Sequence, residues 1–164
     1  MARCWQADST ASTQLLVGAD VVVSALGPTS KDSDLHTRTA AALIPAMQQA
    51  GVSRYVGISG AGIDVTGDQK GLRDKIISFL VQRLGAAMAA DKAHEYRAWA
   101  ASDRDWTLVR PPRLTDQPPT GKIYIHAHRP GPSSRIPRAD LAHAVASIAE
   151  SQQYRQQAPF VSAA

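Results

Sequence analysis

Apolar and polar positions along this chain follow two different periods. Val21-Val22-Val23, Tyr55-Val56 within "SRYVGIS", and "DWTLV" from Asp105 are short, dense apolar runs. Each ends in small or rigid residues, the pattern of strands buried on both faces. Between the first two runs, "SDLHTRTAAALIPAMQQAG" sets Leu35, Leu43, Ala46, Met47 and Ala50 at helical spacing. Ser33 is the expected N-cap of that helix and Gly51 its expected stop. Pro45 lies inside it and predicts a kink or a local adjustment. Leu72, Ile76, Ile77, Phe79 and Leu80 predict a further helix, broken near Gly85, with another over about residues 87–101. Two prolines stop the third strand. After them "GKIYIHAH" alternates like an outer strand, and "IPRADLAHAVASIAES" reads as an amphipathic helix beginning after Pro137. The segments "RCWQAD" and "APFVSA" predict short strands near the two ends.

Strands alternating with helices predict an α/β fold with a mainly parallel sheet and right-handed crossovers. A chain of 164 residues suits a single domain. In such sheets ligands bind beyond the carboxyl ends of the strands. Those ends carry Ala25-Leu26-Gly27, Ser59-Gly60 and Pro111-Pro112-Arg113, three loops of small or rigid residues expected to converge on one edge. That edge is the candidate site.

The net charge of +4 raises nucleic acid as a partner. The basic residues are interleaved with acids in "DQKGLRDK", "DKAHEYR" and "DRDWTLVR", which favours a solvated surface and a mild attraction for a small anion. No nucleic-acid partner is expected. No run approaches the roughly 18 apolar residues of a membrane span, so no membrane partner is expected either. The start carries no secretory pattern. Cys4 is the only cysteine, which precludes an intramolecular disulfide and points to a reducing cytoplasm. His126 and His128 fall on one strand face, but no third ligand stands at a telling spacing, so no metal site is expected. "GISGAG" suggests a nucleophile elbow, yet its fifth position is Ala61 and no helix follows at once. That sets aside a hydrolase built on Ser59 and His143.

"VVVSALG", "YVGISGAG", "WTLVRPPRLTDQPPTG" and "IPRADLAHAV" together resemble, in order and spacing, the atypical short-chain dehydrogenase/reductase families that bind NAD(P). The resemblance is strongest to the flavin reductase / biliverdin-IXβ reductase group and its NmrA-like relatives, and it covers the chain from about Ala7 onwards. It implies a Rossmann-like fold, NADP or NAD as cofactor, and hydride transfer to a flavin or another conjugated acceptor. It also implies two alternatives: a non-catalytic NAD(P)-binding sensor or interaction module, or an inactive fragment of the fold. Relatives open with a strand, a G-x-x-G-x-x-G loop, a helix and a second strand. This sequence begins where their third strand would stand, so an N-terminally truncated, partial domain is the expectation. Val21-Val22-Val23 would then form an apolar sheet edge: either "RCWQAD" moves in beside it, or it self-associates with a second molecule, or the chain is a fragment.

The resemblance assigns site residues as well. The Tyr-x-x-x-Lys pair of short-chain dehydrogenases is represented by "MAADK", which keeps Lys92 and puts Met88 where the tyrosine stands. Methionine transfers no proton, so tyrosine-type acid catalysis is excluded there. Lys92 shares a helix face with Met88, Glu95, Tyr96 and Trp99, and by resemblance it touches the nicotinamide ribose; the alternative is a snorkelling surface lysine. Ser59 falls where the family places a hydroxyl facing nicotinamide and substrate, with Gly60 where a second hydroxyl is common. The alternative for Ser59 is a bond to its own turn. Ala25, Leu26 and Gly27 would flank the cofactor, and Pro111, Pro112 and Leu114 would wall the nicotinamide pocket. Arg113 is suited to clamping a cofactor phosphate or an acidic substrate, or else is a plain surface arginine.

Overall fold

The computed structural model describes residues 9–27, 33–71, 83, 86–151 and 153–164. The segment "RCWQAD" and the helix expected around residues 72–80 lie outside them. The elements run α1 (Ser9–Leu16), β1 (Val21–Ser24), α2 (Leu35–Ala50), β2 (Arg54–Ile58), α3 (Ala86–Ala100) and β3 (Asp105–Val109). They continue as β4 (Arg113–Thr115), β5 (Ile123–His126), β6 (Arg135–Pro137), α4 (Arg138–Glu150) and β7 (Phe160–Ala163).

The three dense apolar runs form one parallel sheet in the order β1-β2-β3, with Val22 beside Tyr55 and Tyr55 beside Trp106. Side chains alternate across it. Tyr55, Trp106 and Leu108 pack with Leu43, Met47 and Trp99 on one face. Val56 and Val109 pack with Leu141, Val145 and Ile148 on the other. The sheet is therefore covered on both sides, which makes the fold α/β with a parallel sheet flanked by helices. Beyond β3, residues 157–161 continue the sheet through Leu108 N–H to Gln157 O (3.1 Å) and Arg110 N–H to Pro159 O (2.8 Å). β7 then pairs antiparallel with β5, and β4 pairs in parallel with β6. On the opposite side β1 has no described neighbour, and Val23 is 50% exposed there.

Some features differ from the sequence expectation. The N-cap of α2 is Asp34 rather than Ser33, and its side chain makes no capping bond. The first N–H groups of α2 are satisfied from elsewhere, by a carboxylate on α3. In addition, α1, which the hydrophobic pattern does not predict, packs on α2, with Thr13 Oγ1 donating to Gln49 Oε1 at 3.0 Å. The other end of α2 is as expected: Gly51 adopts φ 73°, and its N–H bonds back to Gln48 O. Pro45 is accommodated within α2, which spans it as a single helix.

Gly57 shows why small residues punctuate β2. The Tyr55 ring stacks on Trp99 with centroids 3.8 Å apart, and it leans along the strand over Gly57. A Cβ on Gly57 would stand 2.6 Å from the Tyr55 hydroxyl oxygen and under 3 Å from two ring carbons. Gly57→Ala is therefore expected to cost about 1–3 kcal/mol through overpacking. Urea denaturation checks this, and an unchanged midpoint would refute it.

Candidate functional site

The register of the sheet sets the tips of β1, β2 and β3 side by side: Ser24 opposite Gly57, and Ile58 opposite Val109. Ser59 N–H extends the ladder to Val109 O (2.8 Å) and Ala61 N–H to Pro111 O (3.1 Å). A cleft of about 550 Å³ opens at this edge. Its walls are the loop Gly60, Ala61 and Gly62, the β3–β4 turn from Arg110 to Arg113, the loop 130–134, and Phe160 to Ser162, with Met88 and Lys70 completing it. The lining is largely apolar.

Of the residues singled out from sequence, Gly60, Pro111, Pro112 and Arg113 line this cleft. Ser59 precedes Gly60 and does not line the cleft, and its Oγ is buried with no hydrogen-bond partner among the described residues. The alternative reading, a bond to its own turn, is therefore not made among the described residues, and the hydroxyl stands unsatisfied. Ala25, Leu26 and Gly27 follow β1 on the far side of β2 and do not line the cleft. Among the described residues, a Cβ on Gly27 or Gly60 would meet nothing within 4 Å. Leu114 packs into the core on the α4 face rather than into the cleft.

Lys92 is neither a surface nor a snorkelling lysine: it is only 8% exposed. Its Nζ donates to Ile58 O at 3.0 Å and pairs with Glu95 Oε2 at 3.2 Å. It thus holds the tip of β2 one residue before Ser59 and keeps one of its three N–H donors uncommitted among the described residues. Burial lowers the Lys92 ammonium from its ordinary value, against the opposing pull of Glu95 and Asp91. Burial likewise raises the Glu95 carboxyl, with Lys92 pulling it back. The neighbouring Tyr55 phenol is pushed upward by burial and by the Glu95 charge.

Asp91, the residue before Lys92, braces the tip of β1. Its carboxylate accepts the backbone N–H of His36 and of Thr37 (2.9 Å each) and the Thr37 hydroxyl (2.6 Å). It also lies 2.8 Å from His36 Nδ1. The other ring nitrogen of His36 lies 3.2 Å from Leu26 O. Burial would raise the Asp91 carboxyl, but the Thr37 and His36 hydrogen bonds hold it below the usual carboxylate range. Two successive residues of α3 thus hold the tips of two strands, Asp91 through His36 and Lys92 directly.

A second buried ion pair supports the cleft from below. Arg110 has no exposed surface; its guanidinium grips Asp68 at 2.7 and 2.8 Å and lies 3.7 Å over the Phe160 ring. It also donates to the carbonyls of Ala158 (2.6 Å), Ile63 and Ala127 (3.3 Å each). Lys70 draws the same loop together by donating to Ile63 O and Asp64 Oδ1, each at 2.8 Å. His126 closes the β5 turn, its Nδ1 accepting the N–H of His128 and of Arg129. His143 is exposed on α4. His36, Asp91, Asp68, Lys70 and the supporting role of Arg110 are absent from the sequence-derived set. All five act across long stretches of chain or inside a glycine-rich loop, where spacing carries no signal.

Comparison with known proteins agrees with this architecture. A candidate exported protein of Burkholderia pseudomallei is similar at 26% identity and TM-score 0.75, over 95% of this chain and 77% of its own. ChuY, an anaerobilin reductase of Escherichia coli O157:H7, is similar at 18% identity and TM-score 0.74, over 96% of this chain and 71% of its own. SP1627 of Streptococcus pneumoniae TIGR4, a candidate NADH-flavin reductase, gives 19% identity and TM-score 0.70, over 93% and 75%. The folds are thus shared with Rossmann-like nucleotide-binding proteins. No curated protein matches the sequence. Among the described residues no helix is long and apolar enough to cross a membrane. The NAD(P)H-binding family description matches residues 5–152, and the chain belongs to that family.

Proposed function

We infer that the chain is an NAD(P)H-dependent oxidoreductase that passes hydride to a flavin-like or other conjugated acceptor seated in the cleft. The observation that carries this reading is the position of the apolar cleft at the tips of β2 and β3, where Gly60, the residue after Ser59, and the turn Pro111–Arg113 line it. A reduced nicotinamide, when bound, supplies the hydride. Ser59 Oγ and the uncommitted Lys92 donor fit the nicotinamide half of such a cofactor, and among the described residues Gly27 and Gly60 leave its backbone-facing side room. Pro111, Pro112 and Phe160 exclude water from the acceptor. Met88, at the rim and 43% exposed, holds no proton, so a reduced acceptor takes its proton from solvent. The names of ChuY and SP1627 support a conjugated acceptor, and the lone Cys4 supports a cytoplasmic setting.

The test is a fluorescence titration of NADPH and NADH, followed by turnover with FMN. Cofactor binding with flavin turnover is the expected result. Binding with no turnover of any conjugated acceptor would make the chain a sensor or interaction module, and no binding at millimolar cofactor would end the reading. Ser59→Ala removes a hydroxyl that no described protein group satisfies, so folding stability should be unchanged or slightly higher. Cofactor affinity should nevertheless fall about fivefold, the worth of one hydrogen bond. Equal affinity would remove Ser59 from the site.

A further inference from the structure

The excess positive charge of this protein is concentrated in one segment. Between Pro111 and Ala139 stand Arg113, Lys122, Arg129, Arg135 and Arg138 against the single acid Asp116. That local excess of four equals the net charge of the whole chain, so the remainder is balanced. Asp116 is already committed, its Oδ1 accepting Arg138 Nε at 2.8 Å. The next acid, Asp140, accepts the N–H groups of Thr120 and Gly121 and the Thr120 hydroxyl.

Within this segment Arg113 on β4 and Arg135 on β6 are in register, Cα partner to Cα partner. The residues after them, Leu114 and Ile136, turn inward to the core, and the two arginines stand on the outer face, both exposed. Neither has an ion-pair partner among the described residues. Like charges at facing ladder positions repel one another. Arg113 lines the apolar cleft, and Ser133 and Ser134, which lead into Arg135, line it too. The arrangement is thus one arginine in the lining of an apolar slot, Arg113, with a second exposed arginine, Arg135, at the facing ladder position.

We propose that Arg113 and Arg135 form an anion-binding subsite for a carboxylate or phosphate arm of the ligand whose apolar body fills the cleft. This deepens the proposed function by making the acceptor an anionic one, and it rests on that reading only for the ligand's role as acceptor. Guanidinium groups bind carboxylate and phosphate through paired N–H donors, and the apolar walls supply the surface for the uncharged body.

FMN and riboflavin share one ring system and differ in the phosphate, so their affinity ratio reads the subsite directly. Fluorescence quenching should show FMN binding about tenfold tighter than riboflavin, the scale of one charge-assisted contact at an exposed site, with the advantage shrinking as salt rises. The double variant Arg113→Gln/Arg135→Gln should bring the ratio close to one, while Arg113→Lys/Arg135→Lys should keep part of it. Lys122→Gln makes a charge change in the same segment and should leave the ratio alone. A wild-type ratio near one would overturn the proposal, as would an equal effect of Lys122→Gln. A loss of NADPH affinity in the double variant with the flavin ratio unmoved would also overturn it, by assigning the arginines to a cofactor phosphate. If neither flavin binds, thermal-shift titration with pyrophosphate decides: stabilisation of the wild type but not of the double variant supports the subsite, and equal shifts overturn it. Phosphate-dependent flavin binding without any turnover would defeat the oxidoreductase reading and leave this subsite standing.

Discussion

Asp68→Ala is expected to lower folding stability by about 3–5 kcal/mol, the scale for breaking a buried ion pair by removing one partner. The variant strands a guanidinium with no exposed surface: Arg110 loses both of its bonds to the carboxylate. The carbonyls of Ala158, Ile63 and Ala127 still accept from it, so part of its hydrogen bonding survives, but its charge is left without an opposite. The loop loses its own closure at the same time, because Asp68 Oδ2 also accepts Val65 N–H at 3.1 Å. Asp64→Ala is the matched control: it removes an exposed carboxylate from Lys70 in the same loop and should cost less than about 1 kcal/mol. Urea denaturation at neutral pH reads both. Similar losses for the two variants would show that the Arg110–Asp68 pair contributes no more than a surface contact.

The contrast between these two acids explains what the sequence can and cannot convey. The strands β1, β2 and β3 are legible because burial on both faces demands unbroken apolar runs, and "VVV", "YV" and "WTLV" have no other economical reading. Gly51 and Pro137 are legible because a left-handed residue and a fixed φ each mark a helix boundary. The site edge follows from those strands, since parallel order alone brings Ser59 and Pro111 together. Charged residues are different. Asp64 and Asp68 sit four positions apart in one polar, glycine-rich loop, and nothing local says that one faces solvent and the other a buried arginine. Arg110 reads like Arg113, yet one is buried and the other exposed. Charges that looked scattered along the chain also hid the imbalance between residues 111 and 139, which matters only once β4 and β6 stand in register.

Asp91 illustrates the same limit and carries the second large effect. Ser33 is a sound local N-cap, but the N-terminus of α2 is capped by a carboxylate 55 positions away from His36. Asp91→Ala would leave two backbone N–H groups, the Thr37 hydroxyl and a His36 ring nitrogen without their acceptor. The expected cost is about 3 kcal/mol, a lost cap plus buried donors left unsatisfied. Asp91→Asn preserves shape but turns an amide NH₂ toward donors that need an acceptor, so it should cost nearly as much. The pH dependence has a definite sign. The Asp91 carboxyl is held below its ordinary value in the folded chain, so its contribution is fully present above its unfolded pKa of about 3.9 and is lost as pH falls through the lower folded value. The stability gap between wild type and Asp91→Ala should therefore be widest near neutrality and close below about pH 4. The tip of β1 should loosen with the cap, because His36 no longer has Asp91 to orient it toward Leu26 O. Amide exchange at Leu26 and Gly27 should then accelerate more than at Val56 in the sheet interior. A gap that stayed constant down to pH 3, or exchange rising equally at all three positions, would mean that Asp91 acts on the fold as a whole and not as the brace of this one tip.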